Sequence, residues 1–208
     1  MQFRSRRPPS TPNGRKKLTM KSIKFAVIAA LTLSAVSAMA GDVVNSAVSA
    51  SAVGNTSAGL ASSALQNIGV AEQNGHIGNS TVLVNGAFNT SAGLASSATQ
   101  NIGHASGNGR IDNTLVLGSG LVNTSGGLAS TAKQQVGFAD NNGRVTNAFI
   151  SAAGATNTAV GLASSATQEI GGAANNGVLQ NAAVIANGSF NTSAGLASSA
   201  TQRIGVAR

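Results

Sequence analysis

Few residues of this chain could support acid–base or metal chemistry, and their positions do not form a set. The histidines are His76 and His104, and the acidic residues are Asp42, Glu72, Asp112, Asp140 and Glu169. A catalytic or metal-binding group requires several such residues that converge, yet the two histidines occupy different positions of the repeat described below, and the acids lie at positions whose residue type varies from copy to copy. The chain has no cysteine and therefore no thiolate ligand. The sequence predicts no enzyme, no metal site and no cofactor, and we expect these seven residues on a solvated face.

Amide side chains, in contrast, recur at a fixed spacing. The segment Asn55-Thr-Ser-Ala-Gly-Leu-Ala-Ser-Ser-Ala-Leu-Gln-Asn-Ile-Gly69 returns with few changes from Asn89, Asn123, Asn157 and Asn191, so the period is constant at 34. A fixed period is typical of repeat architectures, in which equivalent residues of stacked copies form columns. Identical amides in a column can hydrogen-bond from copy to copy, as in cross-β structures. Two amide ladders are predicted, and their members are Gln66, Gln100, Gln134, Gln168 and Gln202 in one column and Asn79, Asn113, Asn147 and Asn181 in the other.

Turn residues recur with the same period. Asn and Gly both tolerate positive φ, so tight turns are predicted at Asn74-Gly75, Asn108-Gly109, Asn142-Gly143 and Asn176-Gly177. A second turn is predicted at Gly86, Gly120, Gly154 and Gly188, and the Asn-Thr-Ser sites that begin at Asn55 are also expected in turns.

Between the turns the pattern is that of strands. Fixed and variable positions alternate from Leu60 to Ile68, as expected of a strand with one packed and one solvated face. A period of this length also suits a helix-turn-helix repeat, but the frequent Gly and Asn-Gly breaks argue against helices. The predicted fold is all-β: a repeat β-solenoid, or cross-β stack, of about five 34-residue strand-turn-strand rungs.

The net charge of +8 does not extend to the repeats. Eight of the thirteen basic residues lie among the first forty residues, and the other five are balanced by the five acids. Nucleic-acid affinity depends on the neutralisation of phosphates by basic side chains. A neutral repeat region therefore predicts no nucleic-acid partner.

The segment before the repeats has the features of a secretory signal. Lys21 and Lys24 precede the apolar run 25–33, and small residues lead to Ala38-Met-Ala40. We predict a basic leader or mis-called start at residues 1–19, a signal peptide at residues 20–40 that is cleaved after Ala40, and a repeat domain at residues 41–208. The apolar run is too short to span a bilayer. The mature chain is expected to be extracellular or on the cell surface, without membrane insertion.

The repeat domain is split at its two ends. Gly41, Val43 and Asn45 align with Gly75, Ile77 and Asn79, so the mature chain would begin with the second half of a repeat. Residues 191–208 form the first half of one, and without its first 40 residues the chain of 208 is two residues short of five periods. The two halves are complementary, which predicts a head-to-tail homopolymer or, alternatively, a closed ring.

Two short stretches are similar to known fibre proteins. The stretch Gln134-Gln-Val-Gly-Phe-Ala-Asp-Asn-Asn142 resembles the Gln/Gly/Asn repeats of curli subunits. The stretch Asn67-Ile-Gly-Val-Ala71, followed by Asn74-Gly75, is similar to the repeats of Fap-type functional amyloids. Both families have repeats of a different length. The resemblance implies secretion through an outer-membrane export channel, cross-β fibres in a biofilm matrix, and a nucleator as a further partner.

These observations predict a secreted structural subunit that self-assembles into extracellular fibres of a bacterial surface or biofilm matrix. The alternative is a monomeric β-solenoid that acts as a surface adhesin or binds ice or polysaccharide. It would use a flat array formed by the column Thr56, Thr90, Thr124, Thr158 and Thr192.

Overall fold

The computed structural model describes residues 39–208, and it describes side chains from Gly41 onward. The predicted leader at 1–19 and residues 20–38 of the predicted signal peptide lie outside the described residues. Residues 39–208 belong to one compact unit. No helix in this part of the chain is long and apolar enough to cross a bilayer.

The described residues form two sheets. The first sheet has nine strands, which are β1 (Met39–Val44), β3 (Ala61–Gly78), β5 (Ala95–Ala105), β6 (Ile111–Asp112), β8 (Ala129–Phe138), β9 (Val145–Thr146), β12 (Ala163–Gly172), β13 (Leu179–Gln180) and β16 (Ala197–Val206). The second sheet has seven, which are β2 (Ala47–Ala58), β4 (Thr81–Ala92), β7 (Leu115–Gly126), β10 (Phe149–Ala153), β11 (Thr156–Val160), β14 (Ala183–Asn187) and β15 (Phe190–Ala194).

Every strand pairs in parallel with equivalent strands of the neighbouring repeats, and the strands of the last repeat pair only with the repeat before them. Ala61 pairs with Ala95, Val82 with Val116, and Leu179 with Val145. One repeat therefore forms one coil, and parallel strands place successive coils about 4.8 Å apart. The molecule is a β-solenoid of about five coils, which confirms the predicted fold class. It is an open stack with two end coils, so the closed-ring alternative is wrong.

The regular register begins between Ala40 and Asp42. Asp42 pairs with His76, one full repeat later, and Val43 pairs with Ile77 in the same way. Met39 and Ala40, however, pair with Ala71 and Glu72, two positions short of a full repeat. Met39 and Ala40 are therefore out of phase with the repeat.

The interior has an apolar half and a small-residue half. The apolar half contains one cluster of fully buried side chains from both sheets. Its members include Ile68, Ile102, Val136 and Ile170 of the first sheet and Val82, Val116 and Ile150 of the second. In the other half Ser62 faces Ser91 across the two sheets, with 2.8 Å between their hydroxyl oxygens. Parallel backbone pairing from coil to coil runs through both halves, so the stack does not rely on a large apolar core.

The fixed glycines have two different physical causes. Gly69 has a φ of +60°, and a Cβ there would lie 2.8 Å from a methyl carbon of Val82. Gly93 lies against the coil below it, where a Cβ would overlap the carbonyl oxygen of Gly59. The first glycine column is needed for a bend in the strand, and the second for the close approach of successive coils.

The positions of the turns require corrections. The chain reverses between the sheets at Gly93–Leu94 and its equivalents. Leu60 therefore lies outside the packed face and is 78% exposed. Gly86 and its equivalents have positive φ, but they bend the strands of the second sheet without reversing them.

The Asn-Gly pairs lie at the predicted corner for a different reason than expected. The positive φ falls one residue earlier, at Gln73, Gly107 and Asn141, while Asn74, Asn108, Asn142 and Asn176 have negative φ. Of the four glycines, Gly143 has a positive φ, at 31°. At all four, a Cβ would collide with backbone atoms of the same corner or of the next coil. Close approach of the chain therefore explains these glycines.

Candidate functional site

The structure brings the predicted glutamines together in one column. The side-chain Nε2 of each later glutamine donates to Oε1 of the earlier one, at 2.7 Å for Gln100 to Gln66, 2.7 Å for Gln134 to Gln100, 2.6 Å for Gln168 to Gln134 and 2.5 Å for Gln202 to Gln168. The second Nε2 hydrogen reaches a backbone carbonyl across the interior, such as that of Ala87 at 3.1 Å from Gln100. Buried amides are costly unless they are hydrogen-bonded, and here they are.

The predicted asparagine ladder is not where the sequence placed it. Asn79, Asn113, Asn147 and Asn181 are exposed at a corner of the coil, with φ from 48° to 51°. No side-chain hydrogen bond links members of this column in residues 39–208. They are turn residues, since asparagine tolerates the left-handed conformation.

A second amide ladder lies in a column for which the sequence predicts turns. The side-chain Nδ2 of Asn55 donates to Oδ1 of Asn89 at 3.0 Å, and 2.8 Å separates the same atoms in each later pair, through Asn123 and Asn157 to Asn191. Asn89, Asn123 and Asn157 are fully buried within the stack. The expected turn at Asn55 is therefore wrong, because this residue lies on strand β2.

The two ladders run in opposite directions along the solenoid. In the glutamine ladder each amide donates towards the N-terminal end, and in the asparagine ladder each donates towards the C-terminal end. Within the described residues, Oε1 of Gln202 accepts no hydrogen bond, and Gln66 has no glutamine below it to which it can donate. The stack therefore has a direction: in each ladder, one end presents an amide donor and the other end presents an amide acceptor.

The histidines do not form a catalytic set. His104 lies 3.2 Å from Asp140 through Nε2, and His76 lies 3.5 Å from Asp112 through Nε2 without hydrogen-bonding geometry. The hydrogen bond from His104 lowers the pKa of the Asp140 carboxyl below its ordinary value. In the part of the chain described, no group of three or more His, Asp or Glu residues is arranged to hold a metal ion.

Two of the seven residues expected on a solvated face are buried. His104 is 6% exposed and Glu169 is 4% exposed. Glu169 accepts hydrogen bonds from Gln135 at 2.9 Å and from Arg203 at 3.0 Å, and it also pairs with Arg208. Its burial is possible because three donors surround the carboxylate, whose charge would otherwise be costly to bury. The signal in the sequence was the column itself, which is polar in every coil: Asn67, Asn101, Gln135, Glu169 and Arg203.

The end coils differ from the inner ones. We define the N-terminal end coil as residues 41–74 and the C-terminal end coil as residues 175–208. Ile204 is 49% exposed, whereas the equivalent Ile170 is fully buried. Strand β2 has a hydrogen-bonded neighbour on one side only, and so does β16. The ends therefore present unpaired strand edges, and the C-terminal end coil also exposes apolar core positions.

The exposed threonines form a straight line on the second sheet. Thr90 pairs with Thr56 and Thr124, and Thr158 pairs with Thr124 and Thr192. All five are partly or fully exposed. The flanking column is irregular: Gly54, Phe88, Val122, Thr156 and Phe190.

Comparison of the chain with protein-family models, with curated proteins and with solved structures gave no match.

Proposed function

We propose that residues 41–208 are the secreted structural subunit of an extracellular fibre, of the functional-amyloid type, on a bacterial surface or in a biofilm matrix. The subunit has no catalytic role, and its partner is a further copy of itself. The observation that supports the proposal best is that the two end coils have the same cross-section in the same phase. Val43 and Leu179, for example, occupy the same column.

Head-to-tail addition would continue the solenoid across the contact. Unpaired strand edges favour association with further strands. The C-terminal end coil of one copy would lie under the N-terminal end coil of the next, with Ile204 below Ile68. A contact between two different surfaces does not close, so it produces a filament.

The amide ladders favour this orientation over the reverse. Gln66 has an Nε2 hydrogen directed to the N-terminal end, and Gln202 has a free Oε1 at the C-terminal end. The asparagine ladder offers the opposite pair. In residues 39–208, Oδ1 of Asn55 accepts no hydrogen bond, and Nδ2 of Asn191 donates to the carbonyls of Ala166 and Thr201, the same two bonds that Asn157 makes while it also donates to the next coil. Head-to-tail stacking joins donor to acceptor in both ladders.

Gly59 is evidence that a coil of another copy lies below the N-terminal end coil. At Gly93, Gly127, Gly161 and Gly195 a Cβ would overlap a backbone carbonyl oxygen of the coil below. At Gly59 no atom of the chain lies within 4 Å of a Cβ. Glycine at this position has no steric cause inside the molecule, but it would have one if Gly195 of another copy lay beneath.

This difference provides the test. In residues 41–208, Gly59→Ala adds a methyl group to the N-terminal end, and Gly126→Ala adds one to a side where a Cβ also meets no atom within 4 Å. We expect both variants to fold, with unchanged circular dichroism. Gly126→Ala should form filaments with a meridional reflection at about 4.8 Å, and Gly59→Ala should stay monomeric at the same micromolar concentration.

Two outcomes would contradict the proposal. Filaments of Gly59→Ala that grow at the unmodified rate would exclude the in-register contact. An unmodified chain that stays a soluble β-rich monomer would exclude the fibre altogether.

The second outcome would favour a monomeric surface binder. The line of threonines supports this second candidate, because it places identical hydroxyl groups at the spacing of the coils. Thr124→Lys should then reduce binding to ice or polysaccharide without changing the fold, and it should leave filament growth unchanged if the first proposal holds.

A further inference from the structure

The charged residues of the solenoid are separated along its axis. The N-terminal end coil carries Asp42 and Glu72 and no basic residue, which gives −2. The C-terminal end coil carries Arg203 and Arg208 and no acidic residue, which gives +2. These are side-chain charges, and in residues 41–208 the terminal α-amino and α-carboxylate groups reduce them to about −1 and +1 without changing their signs. The residues between them are balanced, with three basic residues (Arg110, Lys133 and Arg144) and three acidic ones (Asp112, Asp140 and Glu169).

The C-terminal charges form a cluster with an excess of one positive charge. Buried Glu169 pairs with both Arg203 and Arg208, and it also accepts a hydrogen bond from Gln135. One carboxylate balances only one of the two guanidinium groups. The cluster therefore lacks a second carboxylate.

The repeat register shows where that carboxylate would come from. Residues one repeat apart lie side by side on successive coils, so the position above Arg208 in the next copy belongs to Glu72, and the position above Arg203 belongs to Asn67. In the free molecule Glu72 is partly exposed and has Asn67 as its hydrogen-bond donor at 3.2 Å. Glu72 would bring to the cluster the one negative charge that it lacks.

We infer that the end-to-end contact contains an intermolecular ion cluster, formed by Arg203, Arg208 and Glu169 of one copy and Glu72 of the next, and that this cluster selects the head-to-tail orientation. The inference rests on the proposed function and specifies the partner surface. Two N-terminal ends would bring four carboxylates together, and two C-terminal ends would bring together four guanidinium groups. Charge complementarity of this kind raises association rates and disfavours the wrong orientation.

A charge-swap experiment tests the inference. It uses residues 41–208 in a Glu169→Gln background, so that a new carboxylate at position 208 does not lie beside a buried one; Gln135 shows that this column accepts an amide. Glu72→Lys makes the N-terminal end coil neutral and places a positive side chain opposite Arg208, and Arg208→Glu removes the excess positive charge from the C-terminal end. Elongation is measured from fragmented seeds of the background protein at low ionic strength, by light scattering and electron microscopy.

We expect each variant alone to elongate roughly tenfold more slowly than the background, since steering effects on association span about 10–10³-fold. An equimolar mixture should recover most of the rate, because Arg208 of the first variant meets Glu72 of the second, and the new carboxylate of the second meets the new lysine of the first. Arg144→Glu is the control, since it changes the net charge as much as Arg208→Glu does but lies in the middle of the solenoid. It should elongate at the background rate.

Variants that elongate alone at the background rate would overturn the inference, and so would a mixture no faster than its components. Neither result affects the fibre proposal, which is tested separately by Gly59→Ala. If the unmodified residues 41–208 form no filaments at all, both proposals fail together.

Discussion

Gln134 donates a hydrogen bond from Nε2 to Oε1 of Gln100 at 2.7 Å, and both side chains are fully buried. Gln168 donates in the same way to Gln134. Each glutamine therefore serves the coil below and the coil above. A substitution in the middle of the ladder affects three coils at once, which distinguishes it from the loss of an ordinary buried contact.

Replacement of Gln134 by alanine should be strongly destabilising. It removes the acceptor of Gln168 and the donor of Gln100, and leaving a buried polar group unsatisfied costs about 1–3 kcal/mol each. We expect urea unfolding to show that Gln134→Ala lowers the free energy of unfolding by roughly 2–5 kcal/mol. Gln134→Glu should lower it further, because glutamate has no donor and adds a buried charge. Thr131→Ala, on the exposed face of the same strand, should stay within about 0.5 kcal/mol. Equal losses for Gln134→Ala and Thr131→Ala would show that the ladder does not stabilise the fold.

Gly137 and Gly120 allow steric packing to be separated from backbone strain. Their φ angles are nearly equal, 62° and 60°. A Cβ at Gly137 would lie 2.6 Å from Cγ1 of Ile150, whereas at Gly120 the nearest atom would be 3.7 Å away. Overpacking costs about 1–3 kcal/mol, so Gly137→Ala should lose that much more unfolding free energy than Gly120→Ala. If the two losses are the same, strain alone explains both glycine columns.

Ala52 is the one residue of its column that is not glycine. It has a φ of 52°, and its equivalents Gly86, Gly120, Gly154 and Gly188 have φ from 59° to 71°. The left-handed conformation costs a residue with a Cβ about 1–2 kcal/mol, part of which is offset by the lower entropy of its unfolded chain. Ala52→Gly should therefore raise the thermal midpoint, and Gly86→Ala should lower it by a similar amount. A lower midpoint for Ala52→Gly would contradict this explanation.

Asp140 should make the solenoid sensitive to acid. The hydrogen bond from His104, helped by the charges of His104 and Lys133, holds the pKa of Asp140 below its ordinary value of 3.8, against the opposing effect of burial. A carboxyl whose pKa is lower in the folded state stabilises the fold above its unfolded pKa. This stabilisation is lost as the pH falls from about 3.8 through the lower folded value. Unfolding of the unmodified chain and of Asp140→Asn should be compared from pH 7 to pH 3. The difference in the free energy of unfolding between the unmodified chain and Asp140→Asn should become smaller below about pH 4. A difference that stays constant would show that Asp140 does not cause the acid sensitivity.

The architecture was predictable because the period is constant. With no insertion between copies, only in-register stacking places identical residues side by side, and the pairing of Ala61 with Ala95 follows directly. The frequent glycines argue against a helical repeat, which is the main competing architecture for this period. Neither argument requires knowledge of which side chains face inward.

The orientation of individual columns was harder to predict, because identity across copies has several causes. Ile68 is fixed, apart from Val136, and buried in the core. Gly93 is fixed because the coil below lies against it, and Leu94 is fixed although it is 53% exposed. A single sequence does not distinguish these causes. The burial of Glu169 depended on donors from three other coil positions, which only the stacked structure brings together.

The two asparagine columns illustrate the same limit and provide the last prediction. Asn123 is buried, and the two hydrogens of its Nδ2 are shared among three acceptors: the carbonyls of Ala98 at 3.0 Å and Lys133 at 2.9 Å, and Oδ1 of Asn157 at 2.8 Å. Asn113 is exposed with a φ of 49°. Asn123→Ala leaves several buried groups unsatisfied and should cost roughly 2–5 kcal/mol.

Asn113→Gly should be nearly neutral, because glycine adopts the left-handed conformation without strain. Both variants are compared with the unmodified residues 41–208 by urea unfolding, with the dependence on urea concentration checked for constancy. A large loss for Asn113→Gly would mean that the exposed column has a structural role beyond its turn. A small loss for Asn123→Ala would mean that the second ladder can be interrupted without cost, and the direction of the stack would then depend on the glutamines and the charged ends alone.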